Sequence, residues 1–326
     1  MSTIALGNAL VDVLLRIDGD HVLSEVGIQK GAMDMIGQDQ MVEIQKTQER
    51  FERSQTPGGS ACNTVRAMSN LGAKTGFIGK IGSDSIGQFY EEAVRSVGVT
   101  PYFIKTEGIS GCCTVLISPD GERTMGTFLG PAATMVPEEI IAEYLSNYQY
   151  LYIEGYLIVN EPLMRETMKK AKDLGLKVAL DLSNFNIVNA FKDLLEDLIP
   201  NYVDILFSNE SEAEAYTGLG ASEAVKALAE LVDVAIVTIG KDGALIGNKG
   251  NVISVTAEGG KPIDTTGAGD HFAAGFLYGQ SVNATLEQSA RIGSLLSGYV
   301  IDVIGPEIPQ NKWDQIKLKV KEILTN

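Results

Sequence analysis

One stretch near the carboxyl end of the chain combines small residues with two carboxylates, Asp264-Thr-Thr-Gly-Ala-Gly-Asp270. An apolar pattern at helical spacing, formed by Phe272, Ala273 and Phe276, begins directly after it. The N–H groups at the start of a helix lack partners within the helix, and the helix dipole adds partial positive charge there. Because residues 267–269 are small, a phosphate could approach their backbone closely. The stretch therefore predicts an anion hole that needs no cation.

Asp270 lies in the first turn of this predicted helix, beside the anion hole. A carboxylate in that place could accept the proton of a substrate hydroxyl as the hydroxyl attacks a γ-phosphate. The alternative is that Asp270 only caps the helix and that Gly-Ala-Gly is only a tight turn. The local pattern leaves both interpretations open.

A second glycine-rich helix start, Gly58-Gly-Ser-Ala-Cys-Asn63, lies in the first quarter of the chain, and its spacing predicts Ser60 as the N-cap. Asn8 and Asp12 follow the first predicted strand, at the edge where α/β sheets usually bind ligands. Asp12 could accept hydrogen bonds from two vicinal hydroxyls, or it could be an ordinary turn carboxylate. These residues are candidates for binding a polyhydroxylated substrate.

Composition and missing motifs exclude several classes of protein. The net charge of −16 repels phosphate backbones and anionic membranes, so we expect neither a nucleic-acid partner nor a membrane partner. The sequence has no GxxxxGK[ST] motif and no GxGxxG after the first strand, which argues against a P-loop enzyme and a dinucleotide-binding dehydrogenase. Three cysteines without CxxC spacing, and no run of eighteen apolar residues, predict a cytoplasmic protein with reduced thiols.

The elements that must position these residues alternate between strand and helix through most of the chain. This rhythm predicts an α/β fold in which a mostly parallel sheet is covered by helices on both faces. A strand-rich patch interrupts it, with three predicted strands at Tyr102–Thr106, Cys112–Ser118 and Arg123–Leu129. We therefore predict one α/β domain over residues 1–326, with a small β appendage built from two pieces at about 12–37 and 101–128.

Taken together, these motifs resemble the ribokinase-like (phosphofructokinase-B type) family of sugar and nucleoside kinases. The two glycine-rich stretches are similar to the two signatures of that family. Three further landmarks lie between them in the family's order: Gly79-Lys-Ile-Gly-Ser-Asp84 with Gly87, Asn209-Glu-Ser-Glu212, and Thr238-Ile-Gly-Lys-Asp-Gly243. The resemblance covers nearly the whole chain and implies a three-layer α/β/α fold with a small β-sheet lid over the acceptor site.

The resemblance also implies a role for each landmark. Asp270 would be the general base, and the N–H groups of Gly267, Ala268 and Gly269 would stabilise phosphoryl charge. The acceptor's hydroxyls would be bound by five residues of the amino-terminal third: Asn8, Asp12, Gly58, Gly59 and Asn63. ATP would be bound by five residues of the carboxyl-terminal half: Asn209, Thr238, Gly240, Lys241 and Gly243.

Metal ions and self-association are implied in the same way. Asn209 and Glu212 would organise Mg²⁺ through water, although this pair could equally be a helix cap. Asp264 and Thr266 could contribute a K⁺ site, since many family members are activated by that ion. Family members often dimerise through lid strands, so a homodimer is an open option. Lys241 could also be a solvated loop charge.

Three segments are similar to the adenosine-kinase-like branch of the family: Gly7–Asp12, Gly121–Gly130 and Ile153–Tyr156. Within the second, Arg123 aligns with an arginine implied to contact the transferred phosphate, or it is a solvated charge at a hairpin end. Thr266 and His271 depart from that branch, and His271 is expected on the helix surface with an ordinary pKa and no role. The predicted activity is phosphoryl transfer from MgATP to the primary hydroxyl of a nucleoside of the adenosine type or of a sugar, with a free-sugar kinase (ribose, fructose or a sugar acid) or a catalytically silent nucleoside-binding protein as alternatives.

Overall fold

The computed structural model describes residues 2–259 and 262–325. Within them fourteen strands form two sheets. Their bounds in chain order are β1 Ser2–Leu6, β2 Leu10–Arg16, β3 Met33–Met35, β4 Arg53–Gly58, β5 Lys74–Gly82, β6 Thr100–Thr106, β7 Gly111–Ile117, β8 Arg123–Phe128, β9 Tyr150–Glu154, β10 Lys177–Asp181, β11 Ile205–Asn209, β12 Val234–Thr238, β13 Ala244–Asn248 and β14 Asn251–Val255.

Thirteen α-helices connect these strands in the described part of the chain, together with short 3₁₀ turns. The helices are α1 His21–Glu25, α2 Gln38–Gln48, α3 Ser60–Asn70, α4 Ser85–Ser96, α5 Ala142–Leu145, α6 Glu161–Asp173, α7 Phe185–Ala190, α8 Lys192–Tyr202, α9 Glu210–Thr217, α10 Ala221–Leu228, α11 Ala268–Ser281, α12 Leu286–Val300 and α13 Trp313–Thr325. No helix among the residues 2–259 and 262–325 is both long and apolar enough to cross a membrane.

The large sheet has the strand order β14-β13-β12-β11-β10-β9-β1-β5-β6. It is parallel except for the carboxyl-terminal hairpin of β13 and β14. Side chains alternate between the two faces of each strand, and each face packs into its own hydrophobic core. In β1, for example, Ala5 lies in one core, whereas Ile4 and Leu6 lie in the other. Helices α3, α11, α12 and α13 cover the first face, while α6, α8, α9 and α10 cover the second. The predicted three-layer α/β/α architecture is therefore confirmed.

The small sheet has the order β3-β8-β7-β2-β4. One face buries Val13, Leu15, Cys112 and Leu116 against α1 and α2, while most residues of the other face, although not Val115, are only partly buried. The strands of this sheet come from two separate pieces of chain, residues 10–58 and 111–128, and these boundaries differ from the predicted ones.

The strand predicted at Tyr102–Thr106 does not belong to the small sheet. It is part of β6, which pairs in parallel with β5 at the edge of the large sheet. The connection between them runs through α4, and a strand–helix–strand crossover places two parallel strands side by side. The small sheet instead takes β4 (Arg53–Gly58), which pairs with β2 and lies outside the two predicted pieces.

Candidate active site

A cleft of about 350 Å³ lies where the carboxyl ends of β10, β11 and β12 meet the first turn of α11. Asp181, Asn209 and Thr238 are the last residues of these strands, and all three line the cleft. The residues 265–270 form the opposite wall, together with Ser60 at the start of α3. A crevice at the carboxyl edge of a parallel sheet is the usual ligand-binding place of an open α/β fold.

The carboxylate of Asp270 lies on this wall and is held by two donors from α3. Ser60 Oγ donates to Oδ1 at 2.7 Å, and Asn63 Nδ2 donates to Oδ2 at 2.9 Å. Burial raises the pKa of Asp270, and these two hydrogen bonds oppose the rise. Gly59 rather than Ser60 is the N-cap of α3, so the predicted cap is wrong and Ser60 contacts Asp270 instead. The carboxylate is thus oriented toward the cleft and caps neither helix.

Gly267 turns the chain into α11 through a left-handed conformation with φ 76°. The N–H group of Ala268 donates to Thr265 O at 3.2 Å, so it is already engaged within the turn. Within the described residues the N–H groups of Gly267 and Gly269 have no backbone partner, and both residues line the cleft. Two of the three predicted anion-hole donors are therefore available to a ligand in this structure.

Asp12 lies within β2 of the small sheet, not directly after the first strand. Burial raises the pKa of its carboxyl to about 7, and the negative charge of Asp270 adds to the rise. The pKa of Asp12 therefore depends on the charge of Asp270. A Cβ on Gly58 would lie 2.3 Å from Asp12 Oδ2, and a Cβ on Gly59 would lie 2.3 Å from Asn8 O. Both glycines are needed where the backbone approaches these groups.

Asn8 does not direct its amide nitrogen at the cleft, because Glu154 holds it. Glu154 Oε1 accepts hydrogen bonds from the backbone and side-chain nitrogens of Asn8, and Oε2 accepts one from Ala61 N. Burial raises the pKa of Glu154 to about 7 despite these three donors. A single buried carboxylate thus joins the β1–β2 turn to the start of α3, and this positions both Asp12 and Asp270.

Replacing Glu154 by Gln should lower the free energy of unfolding by about 1–3 kcal/mol. The new amide must aim its NH₂ at Ala61 N–H or at the donors of Asn8, which leaves buried donors without an acceptor. Urea unfolding followed by fluorescence measures the change. Glu143→Gln, at an exposed helical position, is the matched control and should be neutral. If the two variants are equally stable, Glu154 does not join these segments.

Asn209 and Glu212 form a capping box at the start of α9. Glu212 Oε2 accepts from Asn209 N at 2.8 Å, and Asn209 Oδ1 accepts from Glu212 N at 2.9 Å. Burial raises the pKa of Glu212, while burial and the negative charges of Glu212 and Asp270 raise that of Asp181. Both side chains line the cleft. Asn209 and Glu212 therefore do form the helix cap that the sequence left as one of two interpretations. The carboxylates of Glu212 and Asp181 also repel each other.

This carboxylate pair fits the Mg²⁺ that the family resemblance implies, because a cation between them would relieve their repulsion. Each carboxylate oxygen retains a free lone pair beyond its hydrogen bond. No group of three or more His, Cys, Asp or Glu side chains that could hold a metal occurs in the described ranges. Asp181 and Glu212 would therefore hold Mg²⁺ through its waters, as hard hydrated cations are often bound.

Asp264 is saturated by four hydrogen bonds. Oδ1 accepts from Thr266 N and Thr266 Oγ1, and Oδ2 accepts from Gly305 N and Arg123 Nη1. Burial alone would raise the pKa of Asp264, but these donors outweigh it and lower the pKa to about 2. With a guanidinium beside the carboxylate, the Asp264 and Thr266 side chains do not fit the K⁺ site predicted for them. Arg123 instead ties the small sheet to the turn that precedes α11.

The residues predicted for ATP binding divide into two groups. Thr238 lines the cleft beside Asn209. Gly240, Lys241 and Gly243 form the next turn, outside the described cleft lining, and Lys241 is exposed. A Cβ on Gly243 would lie 1.9 Å from Val255 O, so the β12–β13 turn alone requires this glycine. A nucleotide role for this turn stays a prediction.

His271 is buried, with 2% of its surface exposed, so its expected place on the helix surface is wrong. Its Nδ1 lies 2.9 Å from Gly267 O. Burial lowers the pKa of His271 to about 4, and the positive charge of Arg66 acts in the same direction. The reason is that α11 packs against both α3 and α12, so this face of the helix is not open to water.

Sequence reasoning missed Asp181 and Glu154 as site residues. A signal for them was present, since each is an acidic residue at the end of a buried strand. Parallel strands end at one edge of a sheet, so an acid at that position is a candidate for the site. Ser60 was noted only as a helix cap, because nothing local indicates its contact with a residue 210 positions away.

Comparisons with known proteins agree with this geometry. Residues 27–313 match the family described as pfkB family carbohydrate kinase. The chain is 27% identical to adenosine kinase of Schizophyllum commune, covering 96% of this chain and 97% of that protein. It is 28% identical to ribokinase of Haemophilus influenzae, covering 90% and 93%. The crystal structure of adenosine kinase from Sinorhizobium meliloti superposes with a TM-score of 0.85 at 30% identity, covering 98% of both chains. The chain therefore belongs to the pfkB family of carbohydrate kinases and is an ATP-dependent phosphotransferase with an alcohol acceptor, similar to the adenosine kinases.

Proposed function

We propose that the protein transfers the γ-phosphate of ATP to the primary hydroxyl of a nucleoside of the adenosine type. The observation that carries this proposal is the surface that the small sheet turns toward the large sheet. On that surface Asp12 lies between Thr56 and Cys113, and apolar side chains continue along the same face, an arrangement that matches a molecule with one polyhydroxylated ring and one planar apolar part.

The register of the small sheet defines this surface. Asp12 is paired with Cys113, Cys113 with Thr127, and Val115 with Met125, so these side chains share one face. Arg123 lies on the same face and reaches Asp264, which identifies it as the face toward the large sheet. The apolar members of the face, Leu14, Cys113, Val115, Ile117 and Met125, are mostly half-buried.

This composition favours a nucleoside over a free sugar as the acceptor. A free sugar presents hydroxyls all round, and each hydroxyl that is buried without a partner costs free energy. A nucleobase can instead cover the apolar side chains while Asp12 accepts hydrogen bonds from the ribose hydroxyls. The half-exposed ring of Tyr156, which lines the cleft, supplies a further surface against which a base could pack.

The proposed chemistry uses the groups of the cleft in turn. Asp12 and Asn63 orient the acceptor, and the small sheet closes over it as a lid that excludes water. Asp270 takes the proton of the acceptor hydroxyl while the hydroxyl oxygen attacks the γ-phosphorus in line. The N–H groups of Gly267 and Gly269 stabilise the charge on the transferred phosphoryl group. Mg²⁺, held near Asp181 and Glu212, would neutralise charge on the ATP phosphates.

The proposal is tested by ADP release from MgATP with adenosine, inosine, ribose, fructose and 2-keto-3-deoxygluconate as separate acceptors. We expect turnover of adenosine with a kcat/KM at least about tenfold above that of any free sugar, because the apolar part of the lid surface contributes binding only to a base. Turnover of ribose or fructose in preference would overturn the nucleoside assignment and retain the kinase. No turnover of any of the five would contradict the acceptor class as a whole.

Association of two copies through the small sheet stays a prediction. The open edge of β4, where Arg53, Ser54 and Gln55 are exposed, is the place at which a second copy could pair.

A further inference from the structure

A second, much smaller cavity lies beside Asn63, which is one of the two donors to the Asp270 carboxylate. It has a volume of about 10 Å³, and its walls come from α3, α11, the segment 306–308 and the start of α13. A cavity of this size has room for about one water molecule. Asn63, Arg66, His271 and Trp313 all line it, and each is at most 6% exposed.

Three of these side chains have a buried polar atom without a partner. Within the described residues, Asn63 Oδ1, Arg66 Nε and Trp313 Nε1 make no hydrogen bond. The orientation of the Asn63 amide is fixed, because the Asp270 carboxylate accepts from its nitrogen and leaves its oxygen directed elsewhere. Arg66 uses its other nitrogens to bind Pro57 O and Glu307 Oε1. An unpartnered buried polar group is costly, so three around one cavity need an explanation.

His271 supplies the fourth polar atom. Gly267 O can only accept, so Nδ1 of His271 must carry the hydrogen that it donates to this oxygen. The imidazole is neutral, since burial and Arg66 lower its pKa to about 4, and Nε2 is therefore an acceptor. The residues that line the cavity thus supply two donors, Arg66 Nε and Trp313 Nε1, and two acceptors, Asn63 Oδ1 and His271 Nε2. These are the four partners that one tetrahedral water requires.

We propose that this cavity binds one structural water that joins Asn63, Arg66, His271 and Trp313, and that the four residues form a positioning network for the general base. The inference rests on the proposed role of Asp270. The water fixes the Asn63 amide, and Asn63 in turn donates to Asp270 Oδ2. His271 also donates to the carbonyl of Gly267 from its backbone and its ring, which holds the turn of the anion hole. Trp313, far along the chain, thereby acts on the reacting carboxylate without touching it.

The test uses Trp313→Phe, which removes one N–H group and keeps an aromatic ring in the same place. The hydrogen bond from Asn63 lowers the pKa of Asp270, which burial raises. If loss of the water loosens Asn63, this hydrogen bond weakens and the pKa of Asp270 should rise further. Asp270 acts deprotonated, so the acid limb of kcat/KM should move to higher pH, by about half a unit if part of one hydrogen bond is lost. The KM for ATP should stay within about twofold, since the nucleotide does not contact this network.

Other titratable groups also lie around this site, so only the difference between variants is informative. These groups are Asp12 on the small sheet, Glu154 and Asp181 at strand ends, Glu212 on α9, and Arg66 and His271 beside the cavity. Asp12 and Glu154 titrate near pH 7 and contribute to any observed profile. Thr167→Val is the matched control, because it also removes a buried, unpartnered group but lies on the opposite face of the large sheet. The Thr167→Val variant should leave the pH profile of kcat/KM unchanged.

Two further results decide the proposal if Trp313→Phe does not fold. His271→Phe removes the Nε2 acceptor of the water, together with the Nδ1 donor to Gly267 O, and should move the acid limb in the same direction. A crystal structure of the unaltered protein at high resolution should place an ordered water within hydrogen-bonding distance of Asn63 Oδ1 and Trp313 Nε1. An unchanged acid limb in a folded variant, or density without this water, overturns the network. The fall in kcat of Asp270→Asn does not depend on the network, so an unchanged acid limb together with that fall means that the network alone has failed, whereas a retained kcat in Asp270→Asn means that the proposed base has failed.

Discussion

Asp270→Asn should lower kcat by about 10²–10⁴-fold, the usual contribution of a general base. The substituted amide cannot accept the proton of the acceptor hydroxyl, whereas its shape and its contacts with α3 are kept. Its oxygen can accept from Asn63 Nδ2, and its NH₂ can donate to Ser60 Oγ, which changes from donor to acceptor. Folding should therefore be intact, and the KM values for ATP and acceptor should change by only a few-fold.

The measurement is steady-state ADP release together with thermal unfolding of both proteins. Asp193→Asn is the matched control, because it makes the same change in the first turn of α8, away from the cleft. We expect that variant to turn over like the unaltered protein. A fall in kcat of less than about tenfold for Asp270→Asn, below the range for loss of a base, would show that another group removes the proton.

The chemistry of this site could be predicted from local sequence, whereas the contacts that tune it could not. The Gly-Ala-Gly turn, the helix start and Asp270 lie within one short stretch, so their mutual placement follows from helix geometry alone. The contact of Asn63 with Asp270 joins residues 207 positions apart and depends on α3 packing against α11. Local sequence patterns therefore predict the helices and strands, but they do not predict which of them pack against each other.

The errors in the fold have the same physical origin. The sequence of β6 indicates a strand, but only the α4 crossover decides that it joins the large sheet. Strand β4 has exposed polar residues and Pro57, so it lacks the apolar alternation by which strands are recognised. It is an edge strand with a single neighbour, β2, and such a strand needs little of that pattern. For His271 a signal did exist, since α11 is apolar on most of its circumference and such helices are buried all round.

Gly269→Ala should make the protein slightly more stable and far less active. Gly269 lies in the first turn of α11, its backbone conformation suits any residue, and a Cβ there would meet no described atom within 4 Å. Replacing a helical glycine by alanine usually gains about 0.5–1 kcal/mol in the free energy of unfolding. The new methyl group lies on the cleft wall, however, where the phosphoryl group must approach the N–H groups of Gly267 and Gly269. A displacement of about 1 Å in a reacting group can cost about 10²-fold in rate, and we expect a loss of that size in kcat.

Two other glycine variants separate this effect from simple damage to the fold. Gly220→Ala places a methyl group at the start of α10, also with φ in the ordinary range and outside the cleft, and should leave kcat unchanged. Gly267→Ala forces a left-handed residue with φ 76° to carry a Cβ 2.8 Å from Pro306 Cβ, so it should lose stability as well as activity. Urea unfolding and ADP release on the three variants give the comparison. If Gly269→Ala retains full turnover, no phosphoryl group approaches this turn during the reaction, and the backbone N–H groups of Gly267 and Gly269 are not the anion hole.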